Sequence, residues 1–450
     1  MRGLISCLSG TAVVALLSAQ PAGAETLGNA LISAYKNSNL LAQNQAVLRA
    51  ADEDVAQAAV ALRPVVSWIL QSKYSKTVQA EGATNALALG MDWEIYDFGR
   101  GKLNREAAKE TVLATRQALI GVEQNVLLAA VSAYMDVHRA TQDVANNQTS
   151  VRVIGEELKA TQDRFAVGEV TKTDVAQAEA RLAAARAALS AAEGSLDVAR
   201  AAYRAAIGHD SDGRTSLPPR PAFPKTLAEA QSIALRLHPS IIQAQHQAKA
   251  SDLRYELAKA SKLPSIDLSV QAGKTEFGDD ATQAQVQLSQ PLYTGGKLAS
   301  GQRQALAGRD AARAALSQTG VSVAQQVADS WSQIEVARAQ IGAIDQQIAA
   351  AQSAYDGVKD EASLGARTTL DVLDAERDLL DAQSSRTSAE SSLQVANYSL
   401  LASMGLLTAE NLKLGIPTYD PEAYYEAVKS APALSVQGSK LDRVLKAIGK

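Results

Sequence analysis

The chain has 450 residues, a formal net charge of −4 at pH 7, 46% hydrophobic residues and only 4% aromatic residues. That charge balance excludes the basic surface of a nucleic-acid binder, and so few bulky side chains argue against a compact globular core, whereas long, closely packed alanine-rich helices use such a composition well. No stretch beyond the N-terminal leader approaches ~18 consecutive apolar residues, so transmembrane helices are not expected and any membrane crossing must be made of strands.

Residues 1–24 read as a secretory signal peptide, with Arg2, an apolar run from Thr11 to Ala19, and small residues Ala22-Gly23-Ala24 before a cleavage site at Glu25. The single cysteine, Cys7, lies inside this leader. The mature chain is therefore expected to lack disulfides, thiolate metal sites and cysteine nucleophiles. Loss of Arg2 makes the mature chain one unit more acidic.

The remainder repeats itself. Thr26-Leu27 recurs as Thr226-Leu227 and Pro64 as Pro264, 200 residues on. Farther along, the spacing is 197: Tyr96-Asp97-Phe98-Gly99 matches Tyr293-Thr294-Gly295-Gly296, Gly168 matches Gly365, Asp174 matches Asp371, and Ile207-Gly208 matches Met404-Gly405. These matches imply a tandem duplication. The first repeat is 25–207, a proline-rich linker is 208–224, the second repeat is 225–407, and a tail is 408–450. The change of spacing is expected in a loop between Pro64 and Tyr96 and its counterpart between Pro264 and Tyr293, because loops accept length changes easily.

In chain order, each repeat opens with a helix, Leu27 to Arg63 in the first, closed by proline. A β-hairpin at 65–95 follows, with Val66, Trp68, Leu70 and then Leu87, Leu89, Met91, Trp93 and Ile95 at period two, and Ala88, Gly90, Asp92 and Glu94 between the last five. The second hairpin, 265–292, repeats this with Ile266, Leu268, Val270, Val286 and Leu288. Strands of ~10 residues cross a bilayer when tilted, although the same alternation fits a soluble half-buried hairpin. Four strands cannot close a barrel, so a membrane span would require several chains to pool strands.

Next comes a proline-free helix from about Arg100 to Val167, roughly 100 Å long at 1.5 Å per residue. The flanking shorter helices, Leu27 to Arg63 and Lys172 to Ile207, are expected to stack end to end beside it. The last helix carries a heptad seam of Val175, Leu182, Leu189, Leu196 and Tyr203, with Ala178, Ala185, Ala192, Ala199 and Ala206 three residues on. Its second copy keeps Val372, Leu379, Leu393 and Leu400, but Arg386 interrupts the row. The tail, with Pro417, Pro421 and Pro432, is expected to pack around the middle of the helices or stay partly disordered.

A hairpin followed by Tyr96-Asp97-Phe98-Gly99-Arg100 or Tyr293-Thr294-Gly295-Gly296-Lys297, a long helix, and then Arg164-Phe165-Ala166-Val167-Gly168 and Asp174-Val175 resembles the TolC family of outer-membrane efflux proteins. The match is strongest at Leu364-Gly365-Ala366-Arg367-Thr368-Thr369-Leu370-Asp371-Val372-Leu373-Asp374-Ala375, and it covers Thr26 to Leu407. The resemblance implies an α+β membrane protein, in which a long α-helical coiled-coil barrel joins two β-hairpins. These contribute four strands to a trimeric twelve-stranded outer-membrane β-barrel. It further implies a homotrimer in the outer membrane of a Gram-negative cell, in contact with lipid, with its helical tunnel in the periplasm. The partners would be a periplasmic adaptor of the membrane fusion kind and an inner-membrane efflux pump or type I secretion transporter. Drugs, toxic compounds or proteins would leave through the duct.

For individual residues, the resemblance implies an interprotomer lock of Arg367 against Thr173 and Asp174, with Asp371 and Asp374 as carboxylate rings at the constriction. Mutual repulsion would raise the pKa of such rings. Val167, Gly168, Glu169, Leu364, Gly365 and Ala366 would be the tips that meet the adaptor. The sequence departs from the family at Ala362, where a gate tyrosine is common, which removes or replaces one lock contact.

Structural roles are expected for several of the same residues. Thr171 to Asp174 and Thr368 to Asp371 fit capping boxes, Gly168 and Gly365 fit helix C-caps, and Asp374 lies beyond the first turn, where capping does not explain it. Tyr96 and Tyr293, with Gly99 and Gly296, mark the strand-to-helix transition, and the rings are expected to fill it. Gly295-Gly296-Lys297 lacks the earlier glycine and the hydroxyl of a phosphate loop. His138, His209, His238 and His246 show no metal-ligand spacing and read as surface or cap residues; the helical acids read as solvated faces. No cofactor, metal or catalytic constellation is expected, which disfavours an exported hydrolase. The competing reading is a periplasmic coiled-coil adaptor or scaffold, which would lack the duplicated hairpins.

Overall fold

Prolines and capping side chains set the element boundaries in a computed structural model that describes residues 25–429 apart from 62, 77–80, 212, 214 and 276–279. The expected signal peptide and the end of the tail, 430–450, lie outside the described residues. The first repeat gives α1 (Leu27–Asn37), α2 (Asn39–Val60), β1 (Val65–Lys76), β2 (Glu81–Tyr96), α3 (Arg100–Ala166) and α4 (Lys172–Ile207). The second gives α5 (Leu227–Leu237), α6 (Pro239–Ala260), β3 (Ser265–Thr275), β4 (Asp280–Ser289), α7 (Lys297–Ser363) and α8 (Thr369–Ser403), and a short α9 (Pro421–Val428) follows.

The opening helix of each repeat is broken, contrary to the single helix expected from Leu27 to Arg63. Ser38 leaves the helical conformation and its hydroxyl accepts a hydrogen bond from the Leu41 N–H, starting α2 afresh. At the equivalent break, Pro239 occupies the first turn of α6 and the His238 ring accepts from the Ser240 N–H.

The four strands form one antiparallel sheet in the order β1-β2-β3-β4. The length difference between the hairpins falls on the strands: β1 and β2 have 12 and 16 residues, β3 and β4 have 11 and 10. β2 continues through a bulge between Glu94 and Tyr96 into the helix start. β4 stops at Ser289, just before Pro291, which has no N–H to continue the ladder.

α3 is the spine of the helical part. It packs against α2, α4, α6 and α8, while α7 packs against α6 and α8. By length and composition, α3 is apolar enough to cross a membrane, which corrects the expectation that no helix could be. Its apolar middle is instead spent on the protein core, where Leu127, Ala130, Val131, Tyr134 and Val137 are fully covered. The heptad seam of α4 is buried at Ala178, Leu182, Leu196, Ala199 and Tyr203, and Arg386, the interruption in the second seam, pairs with Asp345 of α7 and Glu390.

The linker is pinned rather than free. The Tyr134 hydroxyl meets the carbonyls of Glu25 and Ser216 at 2.8 Å, and His138 meets Thr215. The tail up to Lys429 lies across α2 and α3: Tyr419 and Tyr425 pack on Leu48, Val55 and Val112, and the Tyr424 hydroxyl donates to Glu53 at 2.8 Å.

Candidate functional site

The end of the helical part opposite the sheet is built from two hairpin tips, each closed by the same chemistry. α3 ends with Gly168 at φ 83°, its N–H donating to the Phe165 carbonyl and the Glu169 N–H to the Arg164 carbonyl. α7 ends with Gly365 at φ 77°, with equivalent bonds from Gly365 to Ala362 and from Ala366 to Glu361. Both are Schellman motifs, in which glycine supplies the left-handed turn. Three residues later the chain re-enters a helix through a capping box, Thr171 with Asp174 and Thr368 with Asp371. Two rigid tips result. Their apolar side chains point outward, Val167 at 72% and Leu364 at 84% exposure, and Gly168, Glu169, Gly365 and Ala366 are exposed beside them.

The capping boxes decide the local electrostatics of the acids. The Asp174 carboxylate accepts from the Thr171 N–H and hydroxyl, both at 2.8 Å, and Asp371 accepts from the Thr368 N–H and hydroxyl, both at 2.9 Å. Bonding to the charged form holds both carboxyls below the usual carboxylate value. Within one chain, Asp371 is thus shifted opposite to the direction expected of a repelling ring.

Within a single chain Arg367 pairs with neither Thr173 nor Asp174. Arg367 Nε lies 2.8 Å from Glu361 Oε2, and Arg367, Asp174, Thr171 and Arg164 line one cleft between the two tips. Thr173 is exposed on the first turn of α4. Arg164 donates to the Ala362 carbonyl at 3.3 Å, tying α3 to the end of α7. Ala362 itself is 4% exposed. Asp374, read from the sequence as an uncapped acid, is paired with Arg181 of α4. Sequence reasoning missed both Arg164 and Arg181 as site residues; each contact joins segments close to 200 residues apart, and no local pattern signals it.

The sheet has two unlike faces. Register places Trp68 opposite Leu89, Val66 opposite Met91, Met91 opposite Val270, Trp93 opposite Leu268 and Leu268 opposite Val286 on one face. On the other face stand Ser67 and Gly90, Glu94 and Asp267, and Ser269 and Gln285. The apolar face is exposed, with Trp68 at 73% and Leu70 at 68%. That pattern, on strands of 10 to 16 residues, fits lipid on one side and water on the other.

At the strand-to-helix transition the tyrosines do not fill the turn. Tyr96 is 53% and Tyr293 88% exposed. Asp97, only 6% exposed, builds the turn instead: its Oδ1 accepts from the Gly99 N–H at 2.9 Å and its Oδ2 accepts from the Gly101 N–H. Phe98 and Gly99 take positive φ, as do Gly295 and Gly296 in the second copy. Exposed tyrosines at this level suit a membrane interface, where an apolar ring with a polar tip is favoured.

The helical acids are not all solvated. Asp52 is fully covered, Glu110 is 7% exposed and Glu376 8%, because α3 is flanked on both sides and leaves little water-facing surface. Burial pushes the Glu376 carboxyl up, against a hydrogen bond with Ser150. Glu110 is held by His246 at 2.7 Å and by Lys249, which makes His246 a tertiary contact rather than a surface residue; His238 is the cap of α6. Among the described residues no group of three His, Cys, Asp or Glu side chains is placed to hold a metal ion.

The chain matches the outer membrane efflux protein family over residues 31–209 and 231–406. It is similar to the outer membrane efflux protein BepC of Brucella suis biovar 1, at 36% identity over 430 residues, covering 94% of this chain and 93% of that protein. It is also similar to the outer membrane protein TolC of Vibrio cholerae serotype O1, at 25% identity over 372 residues, covering 79% of this chain and 85% of that protein. Among solved structures, the CmeC outer membrane channel of Campylobacter jejuni shares the fold with a TM-score of 0.75 at 16% identity, over 97% of this chain and 99% of that one. With matching family segments in both halves and a sheet faced for lipid, the chain belongs to the outer membrane efflux protein family and is an outer-membrane exit duct.

Proposed function

We propose that the duct is a homotrimer that opens to the periplasm through the two helical tips and passes substrates delivered by a periplasmic adaptor and an inner-membrane pump or secretion transporter. The observation that carries this reading is the set of open edges in a single chain. β1 and β4 pair on one side only and are exposed along their whole length, and α7, 67 residues long, buries only Val323, Val327, Ile334, Ala337 and Ala362. Unpaired strand edges in lipid cost several kcal/mol per group, so copies must join them. Two chains would pool eight strands, a barrel whose interior side chains fill, whereas three pool twelve and leave a passage. On the helical side, α7 of one copy then meets the α2 and α4 flank of the next.

In that ring, Arg367 faces Thr173 and Asp174 of the next copy, and exchanging Glu361 for them costs little because both partners are exposed ions. Asp371 and Asp374 project from the start of α8 toward the narrow end. The exposed tips at Val167 to Glu169 and Leu364 to Ala366 supply the adaptor contact. The duct supplies no chemistry and no energy, so it is not an enzyme, and substrate choice rests with the partners. Two repeats, 25–207 and 225–407, joined by the linker at 208–224, supply the alternating units of the ring.

The test is the mass of the purified mature protein in detergent, together with its single-channel conductance in a planar bilayer. A trimer with small, cation-preferring conductance is expected. A monomer without conductance would return the chain to the periplasmic scaffold reading. Within the trimer, Arg367→Ala is expected to raise conductance, and an unchanged closed level would remove Arg367 from the lock.

A further inference from the structure

We infer that Arg181 is a positioning and selectivity residue of the entrance: it clamps α8 to α4 within one protomer and masks the Asp374 carboxylate while the duct is closed. The inference rests on the duct reading and adds a residue to it. Its basis is the ion pair between Arg181 Nη2 and Asp374 Oδ1, which bridges two helices from different repeats. Arg181 lies two to three turns into α4 and Asp374 one to two turns into α8, so both stand just inside the tips.

The two acids of α8 differ in what neutralises them. Asp371 is bonded by the amide and hydroxyl of its own N-cap residue, Thr368, and that arrangement travels with α8 as a rigid unit. Asp374 instead depends on a cation carried by another helix. Any movement that separates α8 from α4 leaves Asp371 as it was and strips Asp374 of its counter-ion. Arg367 with Glu361 and Arg377 with Asp381 pair within the second repeat, whereas Arg164 with the Ala362 carbonyl and Arg181 with Asp374 cross between the repeats. Both crossing contacts change when the tips part, but of the two only the loss of Arg181 uncovers a carboxylate.

A consequence for ion passage follows. With the clamp made, three Asp374 carboxylates are each balanced by a guanidinium, and the ring exerts little field. With the clamp broken, three uncompensated carboxylates surround the axis and attract cations. Opening and cation preference therefore rise together.

The pair is exposed at 34% for Arg181 and 52% for Asp374, so its contribution to global stability is small and variants should fold. The experiment uses the full mature protein, reconstituted in planar bilayers under a potassium chloride gradient. Arg181→Gln is expected to raise conductance severalfold and to shift the reversal potential toward the potassium value. Asp374→Asn is expected to raise conductance without that shift. The exchange Arg181→Asp with Asp374→Arg is expected to bring conductance back toward wild type. The inference is overturned if Arg181→Gln leaves both readouts unchanged, or if the exchange conducts as freely as the single variants.

A second measurement is independent of conductance. The mature chain has no cysteine, so Arg181→Cys with Asp374→Cys can be joined by a short bismaleimide. A product of one-chain mass on a denaturing gel supports the clamp. A product of two-chain mass would show that the residues pair between protomers and would overturn it, with the duct reading intact.

Discussion

Asp52→Asn is expected to tighten the attachment of the C-terminal segment at neutral pH. Asp52 sits on α2 with no exposed surface, and neither carboxylate oxygen has a hydrogen-bond partner among the described residues. Tyr419 and Tyr425 pack over this part of α2. Burial, opposed by the charge of Arg116 and reinforced by that of Glu53, pushes the Asp52 carboxyl from 3.8 up to about 6. An acid whose folded pKa is raised favours folding when protonated. The covered state is therefore most stable below the unfolded value near 4, and that advantage is lost as pH rises through about 6. The distance between the two values corresponds to about 3 kcal/mol at pH 7.5, an upper figure because it takes the opened carboxyl as fully solvated. An uncharged Asn removes this opposition. Hydrogen exchange of the α9 amides in the intact protein should slow by up to ~100-fold in the variant at pH 7.5 and by only about 6-fold at pH 4.5. Equal protection of both proteins at both values would refute the reasoning, because it would mean that Asp52 is solvated or compensated.

Two further outcomes follow from the backbone and the sheet. Gly405 and Gly168 both have positive φ, 80° and 83°, but an added Cβ at Gly405 would lie 2.8 Å from His238 Cα and 2.9 Å from the Leu237 carbonyl oxygen, whereas Gly168 has open space. Gly168→Ala should cost only the ~1–2 kcal/mol of left-handed strain, and Gly405→Ala clearly more in thermal unfolding; equal losses would contradict the packing at the α5–α6 break. Trp68→Arg on the apolar face should cost about 2–4 kcal/mol at mid-membrane and reduce insertion, while Gln285→Arg on the opposite face should leave assembly intact and weaken cation preference; a Gln285→Arg protein that fails to insert would mean that the faces are assigned the wrong way round.

Much of the fold is legible because it rests on local periodicity. Val66, Trp68 and Leu70 alternate with Ser67 and Ile69, and a strand of this register can put that set on one face only. Thr171-Lys172-Thr173-Asp174 and Thr368-Thr369-Leu370-Asp371 name their caps outright, since the acid and hydroxyl must be three apart to reach each other's amides. The break at Ser38 was hidden because no proline marks it, although Pro239 marks its counterpart. The turn at Asp97 was hidden by its neighbour, since a tyrosine suggests filling more readily than an aspartate suggests two backbone acceptors. Asp52, Glu110 and Glu376 look like surface acids in the sequence, and only the packing of α3 on both flanks shows that they are covered.

The duplication itself explains which entrance residues could not be read from one repeat. Residues that close a helix end occur in both copies: Gly168 with Gly365, Thr171 with Thr368, Asp174 with Asp371. Each copy needs them, because every tip must satisfy the same free amides and carbonyls. The charged residues around them do not match. At the spacing of 197, Arg164 corresponds to Glu361, Val170 to Arg367, Gln177 to Asp374 and Arg181 to Asp378. Two of these unmatched residues make contacts between the repeats, Arg181 with Asp374 and Arg164 with the Ala362 carbonyl. Divergence at these positions leaves the helix ends alike while the charged contacts around them differ from one repeat to the other, which is why the ends can be read from either copy and the contacts from neither alone.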